Sequence, residues 1–566
     1  MFKVNELLEG FIPSLMQKFL PTRLIVLQTM RVIPILSSEG ITLVGNTIHG
    51  IVKARIEEWI NRDLTSGFRD ADNQEYVYCS NFVEKIFEDT AWYAVLSHRW
   101  GRSEVVTFGD VHRIHTVTPD AISAMETFIR ADPNYLNQRS LLSELGSEVI
   151  SGRNKYGRDD SALFALSRLL NGVEPLNAGV DINSGLRKLV KFCRVALQEY
   201  GCKFAWMDTC CIDKSSSAEL DESIRSMFRW YRNSHICIVH LASTSKDSQA
   251  AGMAYDPWFS RGWTLQELIA PRAIKFYDSH WNPFTSTSQK NDKILTSAMP
   301  EAYTKSLSTC DGDSFIKTVA SITRVSLFDM LNFEPGLINI RERLKWAARR
   351  ETTRVEDQAY SLLGIFNITI PIAYGEGENA MYRLQAAIME FSNDRSIFLW
   401  DGDASFRSSM LSGTLLGFSG DYDVIEEDVQ FMDLPLKLEQ NLVPPPHFNL
   451  TNHGLAISLS LYDASYTMEW LRDSDHKFDH IIQTLLKDID RRTTLQGRTS
   501  PGTIDTYRLA ALGYARWEGL LFPIFMILTE HKIHGNTYFR RYPWCPRVTP
   551  FISFEDPPNP TVVYIR

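Results

Sequence analysis

The chain has 566 residues, 44% apolar and 22% charged, with a formal charge of −9 and an isoelectric point of about 5.9. This is the composition of a globular protein with ample core, and the length predicts roughly three to four domains. The acidic balance, without any basic run of five or more residues, excludes a chain that lives on nucleic acid or acidic lipid.

Eight cysteines are spread along the sequence, only Cys210 and Cys211 are adjacent, and no pair has zinc-knuckle spacing. They read as reduced thiols of a cytoplasmic protein with no metal site. The Asn-x-Thr sequons at Asn367 and Asn449 are then coincidental. Asn5, Glu6 and Glu9 interrupt any apolar run at the start, so no signal peptide is predicted. The apolar stretch Gly519–Leu528 is about half as long as the roughly twenty residues of a membrane helix, so no membrane segment is predicted.

Residues 1–90 read as a mainly helical region, with an amphipathic helix at 48–62 built on Ile51, Ile56, Trp59 and Ile60. Gly45 and Gly50 have phosphate-loop spacing, but Ile51-Val52-Lys53 follows where Lys-Ser/Thr is required, which rejects a nucleotide-triphosphate loop.

Tyr93–Leu96 is a short apolar run that leads into Ser97, His98, Arg99, Trp100 and Gly101. It predicts a strand buried on both faces, as in a parallel sheet. Ligands of such sheets sit at the carboxyl ends of the strands, which makes Ser97 to Trp100 candidate binding residues. A hydrogen-bonded turn explains His98 and Arg99 equally well.

Residues 102–181 read as an insertion with a helix at 161–170. A helix follows over 185–200, with Leu186, Leu189, Val190, Cys193 and Leu197 on one face. Lys203–Asp208 is a second strand, ending in Asp208-Thr-Cys-Cys-Ile-Asp213. Ser216 and Glu219 form a capping box for the next helix, whose inward stripe is Leu220, Ile224, Met227 and Tyr231 and which ends near Asn233. His235–Leu241 is a third strand and Ala273–Tyr277 a fourth.

Between the last two strands lies Trp258–Ala270, closed by Pro271. It reads as a short helix capped by Ser260. Trp263 and Glu267 are four apart and share a helical face, so an indole stands beside a carboxylate, a slot for a flat cationic ring. The plain alternative is a core Trp263 and a surface Glu267. Strands alternating with helices imply a parallel sheet. In a flavodoxin-like order 2-1-3-4, the crevice between the first and third strands holds both the Ser97–Gly101 turn and the start of the Trp263 helix.

Further on, helical patterns at 314–331 and 336–349 precede a helix opened by a capping box at Thr353 and Glu356 and stopped by Gly364. Another covers Glu376–Phe391, with Ala380, Leu384, Ala387, Ile388 and Phe391 inward. The simple reading of Glu356, Asp357 and Glu376 is structural. From 396 the periodicity changes, and Ile397–Trp400, Leu415–Phe418, Leu455–Leu461 and Tyr507–Tyr514 read as strands. Asp421–Asp433 and Pro444–Pro446 read as loops or linkers. Phe539–Val548 is aromatic and basic and suits the end of the β region.

Tyr93-Ala-Val-Leu-Ser-His-Arg-Trp100, Trp206-Met-Asp-Thr-Cys-Cys-Ile-Asp213 and Arg261-Gly-Trp-Thr-Leu-Gln-Glu-Leu268 resemble the three blocks of the fungal heterokaryon-incompatibility (HET) domain. Arg350–Phe366, Pro371 and Tyr374-Gly-Glu-Gly377 resemble a further block of the same family. Departures are Lys214, where many members carry glutamine, and the insertion. HET domains are similar in layout to TIR domains, and Trp263-x-x-x-Glu267 falls where catalytically active TIR domains carry their Trp-x-x-x-Glu.

The resemblance implies an α/β fold with a TIR/flavodoxin-like parallel sheet at 91–281, helices on both faces, a helical extension at 282–395 and a β-rich region at 396–566. It implies a cell-death effector of non-self recognition that cleaves NAD between nicotinamide and ribose. NAD is its substrate and no cofactor is tightly bound. It self-associates on activation and takes its trigger from a sensor protein. Glu267 is then the catalytic carboxylate. Ser97, His98, Arg99, Trp100, Asp208 and Trp263 line the nucleotide, with Arg99 on the pyrophosphate. Asp208 and Asp213 serve equally well in caps and turns. The alternative from another class is a non-enzymatic assembly module, in which Glu267 is exposed on a flat surface or locked in a salt bridge.

Overall fold

The computed structural model describes residues 14–27, 31–50, 93–99, 182–246, 250–293, 315–400, 402–405, 407–419, 448–461, 506–517, 520–533, 536–541, 547–548 and 561–565. The insertion at 102–181 and most of the helix expected at 48–62 lie outside them. The chain divides into two compact units, 1–299 with 311–334, and 300–310 with 335–566. This division falls inside the segment 282–395.

The first unit is built on a six-stranded sheet. Its strands are β1 (Arg23–Val26), β2 (Arg31–Pro34), β3 (Tyr93–His98), β4 (Phe204–Trp206), β5 (Ile236–His240) and β6 (Ile274–Tyr277), in the order β2-β1-β4-β3-β5-β6. The four strands read from the sequence are parallel and stand in the expected order β4-β3-β5-β6. All six residues of β3 are buried, as a strand covered on both faces requires. The hairpin β1–β2 extends the sheet antiparallel beside β4, in a region expected to be mainly helical.

Helices of this unit include α1 (Ile182–Gln198), α2 (Asp208–Cys211), α3 (Ser217–Arg232), α4 (Pro257–Ser260), α5 (Thr264–Ile269), α6 (Phe315–Thr323) and α7 (Leu327–Asn332). Ser216 caps α3 by accepting from Glu219 N (3.4 Å). The reciprocal half of the capping box is missing, because Glu219 turns to Asp213 N (2.9 Å) and Arg23.

Side chains alternate across a strand, and partners beyond the sheet show which residues face which side. Val95, Ser97, Cys237 and Trp206 face α3 and α5: Trp206 makes edge contacts to Trp230 and Tyr231 of α3, and Cys237 Sγ lies 3.6 Å from Glu267 O. His98, His240 and Tyr277 face the α1 side, where Tyr277 donates to Glu199 (2.7 Å).

In the second unit, α8 (Ile340–Ala348), α9 (Asp357–Tyr360), α10 (Leu363–Phe366) and α11 (Asn379–Phe391) precede the strands. The core side of α11 is Ala380, Met381, Leu384, Gln385, Ile388 and Met389; Phe391, expected inward, is 72% exposed. The strands β7 (Ala404–Ser405) and β8 (Ser408–Ser412) form a hairpin. The others are β9 (Asn449–Thr451), β10 (Gly454–Leu461), β11 (Thr506–Trp517), β12 (Leu520–Ile533), β13 (Asn536–Arg541), β14 (Arg547–Val548) and β15 (Thr561–Ile565). The pairings β11-β10-β15-β13-β12 return to β11, so these strands close on themselves.

Corrections fall on short apolar runs. Ile397–Trp400 and Leu415–Phe418, read as strands, are 3-10 turns at Arg395–Phe398 and Leu415–Phe418. All four residues of the first turn are buried, so the run shows no two-residue alternation, and Asp394 caps it by accepting from Ser396 N (2.8 Å). The apolar stretch at Gly519–Leu528, too short for a membrane helix, falls largely in β12, a long antiparallel partner of β11. Among the described residues no helix is long and apolar enough to cross a membrane.

Candidate functional site

Two short helices build the site. Ser260 does not cap the helix of Trp263 and Glu267: α5 starts after Trp263 with no side-chain cap, and the preceding α4 is capped by Asp256, whose carboxylate accepts from Trp258 N (3.0 Å), Ser243 N (3.0 Å) and Thr244 Oγ1 (2.8 Å). Ser260 is the last residue of α4 and donates to Pro257 O (3.1 Å). The chain then turns into α5, whose first residue Thr264 donates back to Trp258 O (2.6 Å). Proline at the first turn and an aspartate before it make Asp256-Pro257 a helix start legible in sequence.

Trp263 is the half-buried N-cap residue of α5, and Glu267 N–H reaches its carbonyl at 3.4 Å. The four-residue spacing therefore holds. Glu267 is 8% exposed. Ser97 donates to Glu267 Oε2 at 2.5 Å, and Trp258 Nε1 donates to Ser97 Oγ at 2.8 Å. At the other end of α5, Lys293 Nζ donates to Ile269 O (3.2 Å) and Pro271 O (2.7 Å). Burial pulls the Lys293 ammonium down to about 7.

Burial is also the largest influence on Glu267 and pushes its carboxyl up to about 7. The Ser97 hydrogen bond opposes this, Asp208 adds to it, and Arg261 and Tyr231 oppose it. The carboxyl therefore changes charge near neutrality, as a group for proton or charge chemistry must. Among the described residues no ion pair holds Glu267, and it does not lie on a flat exposed surface.

The predicted binding residues divide. Ser97 is fully buried with its hydroxyl committed to Glu267. His98 points to the opposite face of the sheet, in register with His240. There burial first, then Lys188, Arg261, His240 and Lys214, hold the His98 imidazole well below its ordinary value. His240 stacks on Trp281 at 4.5 Å. Arg99 is exposed, and Trp100 lies outside the described residues. Asp208 opens α2 and accepts from Thr209 N (2.8 Å), a local turn role, while its charge still reaches Glu267. Asp213 accepts from Ser215 N (3.0 Å) and Oγ (2.6 Å), a turn role alone.

Sequence reasoning did not single out Trp258, Arg261 or Lys293, and it placed Tyr231 only on a core stripe. Trp258 stood inside the quoted stretch, but nothing local showed that its N–H would reach β3. The five cysteines among the described residues are buried free thiols.

A protein-family description, heterokaryon incompatibility protein (HET), matches residues 174–255. The chain contains a heterokaryon-incompatibility domain. The matched segment of this HET domain carries α1, β4, α2, α3 and β5 and stops before α5, so Glu267 lies beyond it. The vegetative incompatibility protein HET-E-1 of Podospora anserina is 38% identical over 210 residues, which is 35% of this chain. The chain spans 14% of that relative's length. No solved structure matches the chain.

Proposed function

We propose that this HET domain protein is an effector of fungal non-self recognition that hydrolyses NAD and so causes cell death. The observation that carries the reading is Glu267: a buried carboxyl that burial pushes up to about 7, bonded by Ser97 near the carboxyl end of β3, and without an ion pair among the described residues. The strand order β4-β3-β5-β6 fits a TIR/flavodoxin-like sheet, whose ligands sit at this crevice.

The reaction breaks the bond between ribose C1′ and the nicotinamide nitrogen. The electron pair leaves with the ring, which becomes neutral, so no general acid is needed. Positive charge builds on the ribose, and an ionised Glu267 stabilises it. Water then adds at C1′ and releases a proton, which gives ADP-ribose. The Trp263 ring, half-buried at the head of α5, packs beside the nicotinamide.

The test is release of nicotinamide from NAD by purified protein, at high concentration or with induced oligomers, wild type against Glu267→Gln. The variant should lose roughly a hundredfold in rate, as when one preorganised electrostatic group is removed. Wild-type rate should rise with pH through about 7 as Glu267 ionises. Equal rates for the two proteins sink the reading. A death phenotype that survives Glu267→Ala in a folded protein favours an assembly module.

A further inference from the structure

We propose that Trp258 and Ser97 are positioning residues that decide which oxygen of Glu267 acts, by fixing the direction of the two hydrogen bonds that run from Trp258 through Ser97 to it. The proposal rests on Glu267 being the reactive carboxylate.

An indole N–H only donates. Trp258 Nε1 places its hydrogen on Ser97 Oγ at 2.8 Å. That interaction occupies an acceptor site of the hydroxyl, whose single hydrogen points to Glu267 Oε2 at 2.5 Å. The tryptophan can only donate and so fills one of the two acceptor sites of the hydroxyl, and Glu267 Oε2 is the acceptor that the single hydroxyl hydrogen finds. Oε2 is thus held as an acceptor in both charge states of Glu267. The proton binds and leaves at Oε1, and Oε1 is the oxygen that meets developing positive charge.

The relay is built stiffly. Trp258 and Ser97 are both fully buried. The indole is wedged edge-on by Phe259 (5.0 Å) and Phe276 (5.6 Å). The Asp256 cap and the Thr264 hydroxyl hold its backbone. Ser97 lies within β3 in register with Val239 of β5. A carboxylate on a six-residue helix is tied in this way to the centre of the sheet. The groups that face it are Tyr231 from α3, Asp208 from α2, Arg261 before α5 and Cys237 from β5.

The test reads Glu267 itself. Infrared difference spectra against Glu267→Gln isolate its carboxylic-acid band, whose loss with rising pH gives the midpoint whether or not NAD is cleaved. Ser97→Ala removes a hydrogen bond that favours the carboxylate. It should raise the midpoint by about one pH unit, roughly tenfold less carboxylate at a given pH below it. Trp258→Phe keeps the ring but frees the Ser97 hydroxyl, so the midpoint should rise less and the band should broaden. Ser97→Thr keeps the hydroxyl and should restore the wild-type midpoint.

Nicotinamide release should show Trp258→Phe with kcat lowered roughly tenfold and KM little changed, because orientation and not binding is lost. If the wild type releases no nicotinamide, the hydrolase reading fails while the infrared titration still decides the relay. An unmoved midpoint and band in Trp258→Phe overturn it. So does a raised KM with unchanged kcat, the mark of residues that bind substrate. Should Ser97→Ala fail to fold, Trp258→Phe and Ser97→Thr carry the same decision.

Discussion

Two buried glutamates, one in each unit, titrate in opposite directions. Glu267 of α5 is pushed up to about 7. Glu356, before α9, is also 6% exposed, yet its carboxyl is held below the ordinary range. Burial acts on both and raises both. At Glu356 it is outweighed by hydrogen bonds from its own backbone amide, from Gly377 N (3.1 Å) and from Gly375 N (2.7 Å), with help from Arg354. The glycine amides converge because Gly375 (φ 99°) and Gly377 (φ 59°) both take left-handed backbone, which glycine adopts without penalty. Glu267 meets only the hydroxyls of Ser97 and Tyr231 and, among the described residues, no backbone amide reaches its carboxyl. A carboxylate that serves structure is supplied with donors and stays charged; one available for chemistry is under-supplied and sits near neutrality.

The neighbours of Glu356 support the structural role. Tyr374 donates to Asp357 (2.8 Å) and Tyr360 to Glu376 (2.6 Å). Arg383 also bonds Glu376 (2.7 Å). Glu356, Asp357 and Glu376 are each tied to a tyrosine, an amide or an arginine.

The largest effect expected from this contrast is at Glu356. Glu356→Ala strands two amides that bonded a charged group, and should cost the second unit about 4 kcal/mol in denaturant unfolding. The loss should shrink as the pH falls. The folded-state pKa is depressed, so the stabilisation exists above the ordinary carboxylate value and disappears as acid protonates the folded state.

Glu267→Gln should do the opposite. Its folded-state pKa is raised from the ordinary 4.5 to about 7. Below the lower value both folded and unfolded chains are protonated, and the group costs nothing. Between the two values the unfolded chain ionises first, so the cost grows, and it is complete above the upper one. The variant should therefore gain up to about 3 kcal/mol above about pH 7 and nothing below about pH 4. A gain that is the same at both ends would break the comparison. The smallest effect is Tyr360→Phe, which removes a donor to Glu376 and an acceptor for Ala373 N (2.9 Å). It should cost about 1 kcal/mol, measured by thermal melting.

Much of this was legible in the sequence. Runs such as Tyr93–Leu96 and His235–Leu241 announced their strands, since a strand buried on both faces has to be apolar throughout. Alternation with amphipathic helices implied a parallel sheet, and its strand order was taken from the flavodoxin-like layout. Glu267 was singled out as a candidate by its spacing from Trp263. The reading failed where an apolar run is too short to show a period, as at Ile397–Trp400, where the chain forms the turn Arg395–Phe398 instead. It also failed where strands come from a region with helical composition, as in β1 and β2.

What the sequence determined by itself is local. Periodicity of two or of 3.6, caps such as Asp256 and Ser216, and the four-residue step from Trp263 to Glu267 all act within a turn or two of chain. Tertiary structure alone decided the partners. Ser97 meets Glu267 across 170 positions, and Trp258 meets Ser97 across 161. No local propensity encodes such a pair, because the bond exists only when α4 and α5 pack on one face of β3. The alternation of β3 likewise sends Ser97 to that face and His98 to the other, so two neighbours read as one binding turn are separated by the thickness of the sheet. Whether a buried acid ends near neutrality or well below it is settled by how many donors that packing brings to it.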